Sequence, residues 1–477
     1  MSDPGSTLQS RLQRLQSHFT WDLKKEDLDL KNLSTRLKDH LDLQLGQQGA
    51  VARSYSFLAY VRYLQDQREE AMDLLSQSEK TNRECYGEDC EPRLIVTYGD
   101  MAWLKYHTGD YTQSQSYCQK VDDILMKYPT GSSTALLPEV YGEKGWTYLK
   151  LYNLKAVDCF QQALELQPDD SEWNAGYAIA LHRREMKVLE TLKEGEESPA
   201  VKQLHRALEV NPDDGVLLSI LALKLLKEKP QEAERLVERA LKIGPDNPHV
   251  TRYVAKYLRI KDEDERSIEL LKRALKRTSQ SAFIHHQLFV CYRKKKNAEQ
   301  SKKPFNKHKV KQWRSLCIQH LEEAIIIKPS FDLAIIELAL LYGEDNNLIR
   351  ADEFFQRGLK SLSETNQSFH QVFHHHYAEF YYYHKKDEVG AITQYTEALK
   401  LTPKTWEWKQ CVKKLKQIAE RRLSDNEDDD EAYALLGLVA KAEGDKKMAM
   451  EFYQKALDCK DQELYLSALF ELRLGLQ

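Results

Sequence analysis

Along the whole chain a small residue is followed four positions on by a bulky one and three further on by a second small one. Ala449, Tyr453 and Ala456 carry this pattern, as do Ala391, Tyr395 and Ala398; Ala351, Phe355 and Gly358; Cys317, Leu321 and Ala324; and Ser267, Leu271 and Ala274. It returns at Ala233, Val237 and Ala240, at Ala200, Leu204 and Ala207, and at Ala156, Phe160 and Ala163. Looser copies at Ser114, Cys118 and Val121 and at Ala71, Leu75 and Ser78 bring the number to ten. Offsets of four and seven stack these side chains on one helical face, and the small ends let a neighbouring helix close in around the bulky middle. Each copy therefore predicts a helix-packing seam. Partner helices lie upstream, such as MAWLKYHTGDY ending at Tyr111 and YALLGLVAKAEGD ending at Asp445.

Several seams run into a proline: ALELQPDD ends at Asp170, ALEVNPDD at Asp214, ALKIGPDN at Asn247 and ALKLTPKT at Thr405. Proline stops one helix, and the Asp or Asn after it can cap the next. The pattern resembles the tetratricopeptide repeat over nearly the whole chain, including its Leu-Gly pair at Leu436 and Gly437. The last small residue recurs after 33 or 34 residues for three steps and after 40 to 58 elsewhere, so extra helices or loops interrupt the array. A regular array presents an open groove, whereas inserted helices can close it into a deep pocket or channel. The expected fold is all-α, a tetratricopeptide-repeat superhelix (α-solenoid) with inserted helices closing an internal basic channel. Its expected parts are an N-terminal helical segment over residues 1–50 that caps the pocket, a superhelix over 51–245, central repeats and a pivot with a basic insert over 246–330, and a C-terminal array over 331–477.

Composition agrees with an array. The chain has 477 residues, whereas single cores stop growing at roughly 250 to 300. Mean hydropathy is −0.64, yet 10% of residues are aromatic, enough to bury apolar surface. Thirteen prolines and 19 glycines are too few for a β-protein with frequent turns. The opening MSDPGSTLQSRLQRLQSHF lacks the apolar run of a signal peptide, and no stretch approaches the ~18 apolar residues of a membrane span, so a cytosolic protein without membrane contact is expected. Eight scattered cysteines include no C-x-x-C pair, and Cys85 and Cys90 have no second pair nearby; reduced, structural thiols are expected. Consecutive histidines on a helix point about 100° apart, so His374, His375 and His376 with His384 are not expected to share a metal. No Walker sequence, Rossmann glycine fingerprint or H-E-x-x-H occurs, and no nucleophile is paired with a base at a recognisable spacing. Catalysis and a cofactor have no support.

The net charge of −4 is too small to argue for a polyanion partner, but its distribution is uneven. Arg293 to Arg314 holds ten Lys or Arg and one Glu, and Lys404 to Arg422 holds seven basic and two acidic residues. Either run alone reads as a solvated face. Two such runs, both in departures from the repeat, favour a polyanion partner.

SHFTWDL from Ser17 to Leu23, FLAYV from Phe57 to Val61, GWTYLK from Gly145 to Lys150, NAGYAI from Asn174 to Ile179, RYVAK from Arg252 to Lys256 and HHQ from His285 to Gln287 narrow the reading. In these motifs the whole chain resembles the interferon-induced proteins with tetratricopeptide repeats, near the members that bind the 5′ end of RNA. The resemblance implies a cytosolic antiviral protein of innate immunity that recognises single-stranded RNA with a 5′-triphosphate or incompletely methylated cap and blocks its translation by sequestration. It implies that RNA as partner, with other family members or a second copy besides, and not DNA. Some family members lack RNA affinity, which leaves a pure protein-binding scaffold as the alternative.

The residues agree with this at one point. Trp146 and Lys150, Arg36 and His40, Ile179 and Arg183, and Arg252 and Lys256 are all i,i+4 pairs, so each pair shares a helix face. Converging cations could hold a triphosphate through charge-assisted hydrogen bonds. By resemblance, Trp146 stacks a cap guanine over Ile179 and Glu172 receives the base edge. Lys150, Arg183, Arg252, Lys256 and Arg259 hold phosphates, with Arg36 and His40 at the first pocket helix, and Tyr253, His286 and Gln287 contact the first nucleotides. The family pattern is broken where His40 replaces a glutamine, where Tyr152 and Asn153 stand in a shortened turn, and where Val216 replaces a tyrosine. These departures bear on whether 2′-O-methylation is sensed.

Overall fold

A computed structural model describes residues 4–46, 49–130, 135–187, 197–278, 280–362 and 367–474. Among them every regular element is a helix. The chain divides into two compact units, residues 1–291 and 292–477, with the division inside the helix Ala282–Gln300.

In the first unit, antiparallel pairs follow one another: Ala50–Leu64 with Arg68–Tyr86, Ile95–His107 with Tyr111–Lys127, Pro138–Lys150 with Lys155–Leu166, and Ser171–Lys187 with Pro199–Val210. Gly215–Leu225 with Pro230–Ile243 and Pro248–Ile260 with Asp264–Leu275 complete the series. The second unit contains Lys307–Ile327, then Asp332–Glu344 with Leu348–Ser361, and Gln367–Glu379 with Glu388–Leu399. A long helix Trp406–Asp425 interrupts the pairing before Asp430–Glu443 with Lys446–Cys459 and a last helix Glu463–Leu474. The helix Trp406–Asp425 accounts for the longest step of the repeat, from Ala398 to Ala456.

All ten seams lie at helix interfaces. Every seam residue is buried except Ala274, which is half-buried. Phe160 shows why the small partners matter: a Cβ added at Gly145 would lie 2.9 Å from its ring, and one at Gly176 only 2.4 Å. The ring is clasped by backbone from two neighbouring helices, closer than any side chain allows. Cap geometry follows the proline stops. Asp170 accepts from the amides of Glu172 and Trp173, Asp214 from those of Val216 and Leu217, Asn247 from those of His249 and Val250, and Thr405 from that of Trp408. Each cap satisfies amides that the first helical turn would otherwise leave unpaired.

The first helix of each pair in the first unit touches the first helix of the next, from Ala50–Leu64 to Pro248–Ile260. Before this series, Leu30–Asp42 packs on Ala50–Leu64. From its far side His40 reaches His249 on Pro248–Ile260, which joins the two ends of the curl.

Candidate nucleic-acid interface

Two cavities lie inside the curl and share the side chains of Leu149, Arg183, Arg252 and Tyr253. The first, of about 390 Å³, takes Arg36 and His40 from Leu30–Asp42, Arg53 from Ala50–Leu64, Trp146 and Lys150 from Pro138–Lys150, Ile179 from Ser171–Lys187, Val216 from Gly215–Leu225 and His249 from Pro248–Ile260. The second, of about 540 Å³, is walled by Tyr152, Asn153, Met186, Lys256, Arg259, Phe283 and Gln287. Three of the i,i+4 pairs thus face one space, and Arg252 with Lys256 faces the adjoining one.

Backbone geometry fixes the cations without neutralising them. The helix Pro138–Lys150 ends inside the cavity, where its last carbonyls form the negative end of the helix dipole. Arg183 donates through Nη1 to the Leu149 carbonyl at 2.5 Å, and Arg36 through Nη2 to the Lys150 carbonyl at 3.3 Å. Just beyond, Tyr152 adopts a left-handed φ of 58°, and its ring lies 4.9 Å from the Arg183 guanidinium and 5.4 Å from that of Arg36. Arg252 covers the Phe283 ring at 4.3 Å, and Arg259 donates to Gln287 Oε1 at 2.7 Å.

Among the described residues no ion pair engages Arg36, Lys150, Arg183, Arg252 or Lys256. Burial, with Arg53 and Arg36 nearby, brings the Lys150 ammonium down to about 7 while its Nζ donates to Ser54 Oγ at 3.0 Å. Burial and neighbouring cations likewise lower Arg183 and Lys256, bring His249 down to about 3 and depress His40 strongly. Asp213 and Asp214 also line the first cavity, but Asp213 pairs with Arg239 and Asp214 caps its own helix. Crowded cations that no carboxylate pairs destabilise an empty site and favour a polyanion in it.

Two expected contacts lie elsewhere. Glu172 is not on the cavity wall: its carboxylate accepts from the Gly49 amide at 2.8 Å and from Arg53 Nη1 at 2.5 Å, with Arg93 at 3.8 Å. Nearly buried, it is held below the usual carboxylate range by these partners despite its desolvation. A base edge would have to displace Arg53 to reach it. His286 is buried beside Phe289 and does not line either cavity, whereas Gln287 does.

Sequence reading missed Arg53 and His249. Arg53 stands 5.6 Å over the Trp146 ring and is tied to Glu172, a partner 119 positions away. His249 precedes Arg252 by one helical turn, a spacing that could have identified it. Trp146 is half-buried, with the Phe160 ring against it edge-on at 5.4 Å and no partner for its indole N–H among the described residues. In the second unit His374 bonds to Gln394 at 2.8 Å, while His375 and His376 approach Glu379 at 4.0 and 3.1 Å.

The Tetratricopeptide repeat family matches residues 138–170 and 430–461. The human antiviral innate immune response effector IFIT1 is 33% identical over 456 residues, 94% of either chain. Human interferon-induced protein with tetratricopeptide repeats 2 is 31% identical over 95% of this chain and 96% of that protein. A structure of the human IFIT1 dimer with m7Gppp-AAAA matches at TM-score 0.84, 32% identity and 95% of this chain against 100% of that one; its counterpart with PPP-AAAA matches at 0.80 over the same shares. No helix among the described residues is long and apolar enough to cross a membrane.

Proposed function

The chain belongs to the family of interferon-induced proteins with tetratricopeptide repeats, and from that premise we propose that it captures the 5′ end of non-self single-stranded RNA in the basic cavity of its first unit. It acts in the cytoplasm as an antiviral effector, by sequestration rather than catalysis. One observation carries the reading: Arg36, Lys150, Arg183 and Arg252 converge without carboxylate partners on a cavity that Trp146 and Ile179 also line. Such a wall offers a stacking surface for a cap base and cations for the phosphates beside it. IFIT1 has been solved with RNA bearing a triphosphate and with RNA bearing a cap, which supports the same ligand class here.

In this reading Trp146 and Ile179 take the cap base, and Lys150, Arg183, Arg252, Lys256 and Arg259 hold phosphates. Tyr253 and Gln287 meet the first nucleotides. Glu172 acts through Arg53, fixing the wall instead of contacting the base. A second copy or another family member is the expected protein partner.

The test compares matched RNAs with a 5′-hydroxyl, a 5′-triphosphate, an unmethylated-ribose cap and a methylated-ribose cap. Binding of at least one 5′-phosphorylated form well above the hydroxyl form is expected. Equal affinity for all four overturns the reading.

A further inference from the structure

We propose that the exposed basic turn from Lys302 to Lys311, in the second unit, is a separate RNA contact that grips the phosphodiester backbone downstream of the 5′ end. It presupposes the RNA binding proposed for the cavity but uses none of its residues.

The long basic run splits into two kinds of residue. Some of its charges are structural: Arg293 pairs with Glu337, the buried Lys296 with Glu344, and Arg314 with Asp345. The turn itself is different. Residues 301–309 are all exposed, as is Lys311. Its single nearby acid, Glu299, takes Lys302 at 2.6 Å and the Asn306 amide at 3.2 Å, which fixes the turn. Lys303, Lys307, Lys309 and Lys311 have no carboxylate partner among the described residues.

An ordinary solvated face intersperses both signs of charge. Here four lysines within nine positions repel one another. Two of them, Lys307 and Lys309, stand in the first turns of Lys307–Ile327, where the helix dipole favours acids and none is present. Phe305, at the tip, is 44% exposed among these lysines. Cations that follow a backbone beside an exposed aromatic ring match single-stranded nucleic acid, since any base can stack on the ring.

The full-length chain is compared with Lys303→Ala/Lys307→Ala/Lys309→Ala/Lys311→Ala on three RNAs: a 5′-triphosphate tetranucleotide, a transcript of about 40 nucleotides with a 5′-triphosphate, and the same transcript with a 5′-hydroxyl. Both transcripts are expected to lose about tenfold in affinity, and the slope of log affinity against log salt to fall by about 3, from ~0.7 per phosphate contact. The tetranucleotide should bind unchanged. Lys307→Glu/Lys309→Glu guards against a folding artefact, because it improves the helix start and should weaken transcript binding without lowering thermal stability. Transcript affinity and salt slope equal to the unmodified chain overturn the proposal. If the tetranucleotide fails to bind the unmodified chain while both transcripts respond to the substitutions, the cavity reading falls and the basic turn stands.

Discussion

His40 and His249 meet through their Nε2 atoms at 3.2 Å, although 209 positions separate them. Each imidazole is held neutral first by burial and then by cations: Lys150 and Arg36 act on both, and Arg252 and Arg183 also on His249. A triphosphate offsets the cations and raises the proton affinity of both rings and of Lys150. Binding should therefore take up protons, which calorimetry in buffers of different ionisation enthalpy would detect. The empty site loses the Lys150 charge as pH rises through about 7, so affinity should fall from pH 7 to 9. Lys150→Arg, charged throughout this range, should flatten the profile.

Glu172→Ala should destabilise the first unit by ~3 to 5 kcal/mol, because it leaves the Arg53 guanidinium buried without its counter-charge. Side-chain exposure of the pair is only 11% for Arg53 and 6% for Glu172. Urea unfolding measures the loss, and adding Arg53→Met should recover part of it. If Glu172→Ala leaves stability unchanged but abolishes capped-RNA binding, direct base contact by Glu172 is the better account.

Trp146→Ala should weaken capped RNA more than triphosphate RNA, by ~1 to 3 kcal/mol of stacking. Because this indole is half-buried and its N–H has no partner among the described residues, the protein should remain folded, as checked by circular dichroism. Equal loss for both RNAs would place the base elsewhere.

Gly176→Ala should cost ~1 to 3 kcal/mol through overpacking against Phe160, measured as a lowered urea midpoint. The added carbon falls 2.4 Å from a ring that is fully buried and cannot swing away. Gly109→Ala, whose added carbon would meet nothing within 4 Å, is a poor control because its φ is +81°.

What the sequence made legible was short in range. A seam spans seven positions, a proline stop and its cap lie within a few residues, and an i,i+4 pair needs one helix. Hence the placement of Phe160, the cap at Asp170 and the shared face of Trp146 and Lys150 could be read from spacing. The partners of Glu172 could not, because Gly49, Arg53 and Arg93 lie far from it in sequence and only curvature brings them to it. The meeting of His40 with His249 depends on the summed rotation of every intervening pair. His286 shows the remaining limit: next to Gln287 in sequence, it faces about 100° away, which turns it from the cavity into the packing.

Leu30–Asp42 reaches Pro248–Ile260 through the contact of His40 with His249, so the two ends of the curl meet at this point. For the RNA proposed to bind there, that meeting bars sideways entry at the seam and favours threading by an end. On that reading a covalently circular RNA of identical sequence, with no terminus to insert, should bind the cavity more weakly than the linear strand.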